Sequence, residues 1–477
     1  MDTRRVFLTG IFVSFVFLGV SALTGCGPSF NGSLPGRDGD GSGPKPLPGQ
    51  AQVTSLSPST VVAGAGSFTL TVYGMNFTPT TSALWDNNTS LATTYISSTV
   101  LLAQVPASLI TKPGTVTIVP SPLGTFNFGT NFTITVPPLT GNNSLSISMV
   151  SVQANDMVWD QASQQLYLSV AKGNSTNANT ITALNPQTGA LGSSVSTGGE
   201  PGKLAVSNDG TYIYAGIIPA INSGGPVHRY TLPTLQSDID IPLGSGYGPY
   251  YAIDVAVQPG SSHSVAVSRG VMGMSPRELG GIIIYDDAVA RPQSVPGFGP
   301  GPGPIDSLLW NPNGQSLYGS DMETSEGGLY IMSVSSAGLQ LQTPAPAASS
   351  GGNVHFDSTT GYLYSDSGKV FNPATVAVIG RFPLNTIQGG LNGTSIMVPD
   401  GRLNIAYFLG QRAYGGGVGY VIEAYDLTDF IFLGAIPIPN VTGIPSKMIR
   451  WGSNGLAFMT DNGVYLVSGG FVTSPAP

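Results

Sequence analysis

The sequence predicts an all-β protein, a β-sandwich followed by a seven-bladed β-propeller that is closed by a strand from its own N-terminal side. Three observations carry this. Only 9% of the residues are charged while Gly (65) and Pro (38) are abundant, a profile of short strands and many turns rather than of helices with Lys/Glu surfaces. Runs of two-residue alternation bounded by Gly, Pro, Asn and Asp recur along residues 143–472. The recurrence keeps a period suited to one four-stranded blade.

The clearest unit runs from Pro201 to Ile241. It holds a short apolar run (LAV), an Asn-Asp-Gly turn, an alternating run (TYIYAGI), a Gly-rich loop and two further runs (VHRY, SDIDI). Anchoring on the last large residue of each first strand gives Trp159, Val206, Val257, Trp310, Phe356, Val398 and Trp451, spaced by 47, 51, 53, 46, 42 and 53 residues. Second strands read QLYLS, YIYAG, SVAVS, SLYGS, YLYSD, IAYFL and LAFMT. The seventh unit ends at VYLVSGG without a fourth strand, and a spare strand, Leu145–Val152, precedes the first unit. A circular array is rid of exposed edges only if the spare strand completes the last blade. Residues 143–472 are therefore expected to form a ring latched by Leu145–Val152.

Residues 1–26 place Arg4 and Arg5 before an apolar stretch that ends in Leu23-Thr24-Gly25-Cys26. This resembles the bacterial lipoprotein signal, whose lipobox is cleaved before a lipidated cysteine. The resemblance implies a membrane anchor on Cys26, the only cysteine of the chain. Thr3–Leu8 also resembles a twin-arginine export motif, and the apolar core suits the general secretory route equally, so the route stays open. Gly27 after the cysteine favours the outer membrane of a bacterial envelope over the inner one. Residues 27–50 are Gly, Pro and Ser with few apolar side chains, the composition of a flexible tether.

Residues 51–138 carry about seven short alternating strands, enough for an immunoglobulin-like sandwich on pattern alone. Ser57-Pro58, Gly64, Phe68, Leu70, Val72, Gly74, Asn76-Phe77, Trp85, Val105-Pro106 and Phe132–Val136 resemble the IPT/TIG family. Such domains are spacers or binding modules. Trp85 is assigned to the core, with sugar stacking as the alternative. The ring's units resemble the YVTN-type repeat, best at Pro201, Leu204–Gly210, Ile213-Tyr214 and Asn185–Gly189. The turn persists at Val398–Gly401 and loses its aspartate at Trp451–Gly455.

Charge excludes some partners. Without residues 1–25 the balance is 15 basic to 24 acidic residues, a net −9, a field that repels nucleic acid. One cysteine and three histidines on different blades offer no metal set, and no cofactor is expected. Gly297–Gly303 alternates with proline, which removes the amide donors of a phosphate loop.

The entrance ends of the seven first strands bring Asp156, Lys203, Asp254, Asp306, Asn353, Ser395 and Lys447 to one mouth of the channel. They form either a polar-ligand site or a solvated funnel whose charges pair with one another. Propellers of similar repeat type include lactonases, and Asp254, Asp306 and His355 are the candidates for such chemistry. His355 is otherwise expected merely to flank a strand, and Asp286, Asp287, Arg269, Arg277 and Arg291 to pair on the surface. No Gly-x-Ser-x-Gly or His-x-x-x-His occurs. Two readings follow: a tethered, non-enzymatic lipoprotein that binds a protein, glycan or cell-wall ligand, and an exported hydrolase that uses the channel acids.

Overall fold

The computed structural model describes residues 49–475 apart from positions 112–113, 123–128, 136–143, 175, 278–279, 298–304, 323–327, 343–348, 385–391 and 415–416. The signal, Cys26, nearly all of the tether and most of Gly297–Gly303 lie outside the described residues.

Two sheets form the sandwich. One has the order Gln52–Ser57, Phe68–Met75, Val100–Val105, Ala92–Ser97; the other runs Thr60–Val62, Thr130–Thr135, Gly114–Ser121, Ser82–Trp85, Thr89–Ser90. Alternation turns Leu70, Val72, Leu101, Ala103, Val105, Ile118 and Phe132 inward, all fully buried. Trp85 is 5% exposed and lies against Phe132 with ring centroids 5.5 Å apart. The indole fills the core and offers no platform to a sugar.

Seven four-stranded antiparallel sheets follow, six of them built from consecutive strands. Their innermost strands are Ala154–Asp160, Glu200–Val206, Tyr250–Val257, Ser307–Trp310, Val354–Asp357, Asn392–Asp400 and Pro445–Trp451. Each innermost strand contacts that of the next blade, and the seventh contacts the first. Blades seven and one share a core of Val152, Met157, Leu166, Trp451, Ala457 and Met459. The ring is closed.

The seventh blade takes its fourth strand from the other end of the chain. Ser146–Val150 pairs antiparallel with Val464–Ser468, in the register Ser146 to Ser468 and Val150 to Val464. The latch strand is shorter than Leu145–Val152 because the chain turns at its end, where Val152 N–H donates to Val150 O at 2.8 Å and the Val152 side chain enters the core.

One aromatic position recurs in the second strands. Tyr167, Tyr214, Tyr318, Tyr364 and Tyr407 are essentially fully buried there, and Phe458 holds the place in blade seven. The tyrosine hydroxyls stay satisfied at the blade edge: Tyr214 donates to Ser262 O at 2.7 Å and Tyr364 to Thr360 Oγ1 at 2.9 Å. The turns follow from sequence as well. Asn185 Oδ1 accepts the Gln187 and Thr188 N–H groups, and Gly189 closes that turn at φ +73°, where a β-carbon would be strained.

Candidate functional site

The channel mouth opens into a cavity of about 370 Å³ whose wall includes Asp156, Lys203, Asp254, Asn353, His355, Asp366 and Lys447. Five of the seven residues expected at the rim line it. The other two sit just behind the wall. Ser395 is buried and donates to Asp366 O at 2.6 Å, and Asp306 accepts the Met322 N–H at 2.7 Å with Arg277 Nη2 3.8 Å away.

Alternate blades are joined by a carboxylate. Asp156 of blade one accepts the Leu204 N–H of blade two at 2.9 Å, and Asp254 of blade three accepts the Leu308 N–H of blade four at 2.7 Å. Asp366 of blade five does the same for Met397 of blade six at 2.9 Å. The channel edge of an innermost strand has no neighbouring strand, so its amides need such acceptors when buried.

Three of the wall's carboxylates differ in what remains open. Asp156 is engaged at both oxygens: Lys447 Nζ lies 2.5 Å from Oδ1, which also accepts the Met157 N–H at 2.9 Å, and Oδ2 takes the Leu204 N–H. Burial alone would raise its carboxyl, but Lys447 and Lys203 outweigh burial and hold it below the ordinary carboxylate value. Asp366 is saturated, by Met397 N–H, by the Asn353 N–H and Nδ2 at 3.1 and 3.0 Å, and by His355 Nε2 at 3.1 Å. Asp254 is not. Only its Oδ2 accepts a hydrogen bond from a described residue, and burial pushes its carboxyl above the ordinary value despite Lys203 and the Leu308 N–H.

Lys203 faces the same cavity and makes no hydrogen bond or ion pair among the described residues. Asp156 raises its ammonium above the ordinary value, and Asp254 and Asp306 add to this against burial and Arg277. The side chain is therefore a charged, half-buried cation, and the anion that acts on it most strongly, Asp156, is already bonded to Lys447, Met157 and Leu204. Around the mouth, charges alternate as Lys447, Asp156, Lys203 and Asp254 on blades seven, one, two and three. The first two form a contact pair. The last two are held in place with open valences.

His355 corrects one expectation. It does not merely flank a strand but sits on the innermost strand of blade five and lines the cavity beside Asp366. Arg277 is drawn to the buried Asp306, so it too belongs to the mouth. Asp286 pairs as expected with Arg291 at 2.8 Å, whereas Asp287 pairs with the buried Arg229 of blade two at 2.6 Å, a partner outside the expected group. Asp366 escaped the sequence reading because it ends a second strand. The repeated Ser-Asp after the second strands of blades four and five (Ser320-Asp321, Ser365-Asp366), both aspartates buried, was the available signal.

Residues 51–134 match a known family model, and the sandwich topology agrees with it. They are an IPT/TIG domain. No curated protein matches the chain. Among solved structures the chain is similar to the hydrazine synthase of Kuenenia stuttgartiensis, at 14% identity over 66% of this chain and 96% of that one, with a TM-score of 0.45. It is also similar to a chain of a mitotic checkpoint complex, at 11% identity over 69% and 91%, again with a TM-score of 0.45. Neither likeness bears on chemistry. Among the described residues the IPT/TIG domain has no group of acidic, His or Cys side chains fit for a metal, and neither has the channel.

Proposed function

We propose that the chain is a lipid-anchored envelope protein whose propeller binds a small polar ligand, or a polar group of a larger one, at the channel mouth. Cys26 would carry the lipid, residues 27–50 the tether, and the IPT/TIG domain would act as spacer. The observation that carries the binding reading is the Lys203–Asp254 couple, an ammonium and a carboxyl group on adjacent blades that line one cavity without contacting each other. Leaving such groups without partners is costly in a channel wall, and a bound ligand removes that cost. The test is capture of cell-wall fragments and glycans on the full chain, compared with Lys203→Met and Asp254→Asn. Capture lost in both and kept in Asp429→Asn, an exposed carboxylate elsewhere, supports the reading; capture indifferent to both moves the site away from the channel.

A second reading rests on His355 and Asp366. An imidazole 3.1 Å from a buried carboxylate and facing a cavity is the arrangement of a general base. It would make the channel a hydrolase site of the lactonase type. Lactone hydrolysis by the full chain, lost in His355→Gln and kept in Lys203→Met, would favour it.

A further inference from the structure

The composition of the cavity narrows the ligand class, on the footing that the channel is the binding site. Three features of the wall matter. Among the described residues the open groups are one ammonium, Lys203, and one carboxyl group, Asp254, whose ionised form balances the lysine charge. The other titratable side chains at the mouth already have partners: Lys447 with Asp156, His355 with Asp366, Arg277 with Asp306 at 3.8 Å, and Arg450 with Asp400 at 3.0 Å and Val472 O at 2.7 Å. The rest of the wall mixes aliphatic side chains, among them Leu204, Val255, Leu308 and Met397, with the polar Asn155, Ser307, Asn353 and Ser446, and among the described residues it has no Phe, Tyr or Trp.

These features separate the candidate chemistries. A simple anion would satisfy Lys203 but bring a second negative charge beside Asp254, and a simple cation would do the reverse. A neutral sugar can bridge the two groups by hydroxyls, but sugars gain much of their affinity by stacking on the large faces of Trp, Tyr or Phe, which are absent from the described wall. A ligand with an ammonium and a carboxylate joined by a short aliphatic frame meets every feature. Its carboxylate accepts from Lys203, its ammonium donates to the open oxygen of Asp254, and its carbon skeleton lies on the aliphatic wall. Both contacts are charge-assisted, and the net charge of the site is unchanged. A volume of about 370 Å³ is at the small end of ligand pockets, which run to roughly 300–1,000 Å³. That is room for an amino acid or a dipeptide terminus.

We infer that the channel mouth is a receptor for a zwitterion of the α-amino-acid kind, free or at the end of a short peptide, clamped between Lys203 and Asp254. The assignment deepens the binding reading and fails separately from it.

The experiment is calorimetric titration of the full chain with five probes: glycine, alanyl-alanine, acetate, methylammonium and glucose. Glycine or alanyl-alanine is expected to bind at least about tenfold tighter than acetate, methylammonium or glucose, since each single-charge probe forfeits one charge-assisted bond. Asp254→Asn should weaken the zwitterion by about ten- to a hundredfold while leaving acetate binding unchanged or tighter, and Lys203→Met should weaken zwitterion and acetate alike. The conservative Lys203→Arg keeps the charge and should recover part of the affinity. Thermal melting of each variant separates loss of binding from loss of fold. Glucose or acetate bound tighter than both zwitterions, with Lys203→Met abolishing it, overturns this inference and leaves the channel as the binding site. Heat from none of the five overturns the inference, and the capture assay on the same variants then decides the broader reading.

Discussion

Asp366 of blade five accepts the main-chain N–H of Met397 of blade six at 2.9 Å, a bond that crosses from one sheet to the next at the channel wall. The same carboxylate also takes three donors from its own blade. One side chain thus orients His355, fixes Asn353 and fastens two blades. A residue of this kind serves stability and site geometry at once.

Asp366→Ala is therefore expected to destabilise the propeller. It strands the Met397 and Asn353 amides at a buried position, where each unsatisfied group costs about 1–3 kcal/mol. Denaturant unfolding should show a loss of about 2–5 kcal/mol, and Asp366→Asn, which keeps an acceptor oxygen, should lose less. Equal stability of Asp366→Ala and the parent chain would remove the fastening role.

Asp156 gives the pH dependence its sign. Its folded carboxyl is held below the ordinary aspartate value, so it stabilises the protein at neutral pH and loses that contribution as pH falls below that value. Asp156→Asn is expected to cost about 1.5–3 kcal/mol at pH 7, the worth of a charge-assisted bond, and the gap from the parent should close at acid pH. A gap independent of pH would show that Lys447 does not depend on the carboxylate charge.

Asp254 runs the other way. Burial raises its carboxyl, so the charge opposes folding at neutral pH and ceases to do so as pH falls through the raised value. Asp254→Asn should leave the melting temperature at pH 7 unchanged or raised. A drop of several degrees would mean that the charge is paid back by a partner in the wall, and the open valence assigned to it would not exist.

The latch can be tested from within. Ile147 packs on the core of blades six and seven, and its neighbours pair with Leu466 and Ser468. Ile147→Asp should cost about 2–4 kcal/mol by placing a charge on that face, and a chain starting at Gln153 should aggregate through the bared edge of Gly463–Ser468. A truncated chain that stays monomeric and melts with the parent would show that blade seven closes without the strand.

Anchoring makes a simpler prediction. Cys26→Ala should leave the chain uncleaved and move it out of the detergent-soluble membrane fraction into which the parent partitions. Normal processing and the same fractionation would exclude lipidation at Cys26.

Much of the ring was legible because its period is written in large residues. Trp159, Val206, Val257, Trp310, Phe356, Val398 and Trp451 each fall within two residues of the end of an innermost strand. The latch followed from counting strands. The site was legible only where a first strand supplies the wall, as for Asp156, Lys203, Asp254 and Lys447. In blade five the innermost strand begins at Val354, and Asn353 stands where blades one and three place their acids. The carboxylate comes instead from the neighbouring strand, and Asn353 Nδ2 donates to it. Such a substitution across strands leaves no trace in a period read along one of them. The open or closed state of each charge was likewise hidden, since it depends on the main-chain amides that each carboxylate reaches.

The latch also fixes an order of assembly. Gly470 N–H donates to Ser144 Oγ across 326 positions of sequence, and the paired strands beside them are almost as far apart. The strand made first among the propeller's elements is the one that must wait longest, because its partner is the last of the propeller's strands to be made. Blades one to six can each form from local hairpins as they emerge, while ring closure is held back until the seventh blade has been made. Export in an unfolded state would postpone closure to the far side of the membrane. Export in a folded state would require it to finish first, so the time at which Ser146–Val150 becomes protected from hydrogen exchange would report the route the chain has taken.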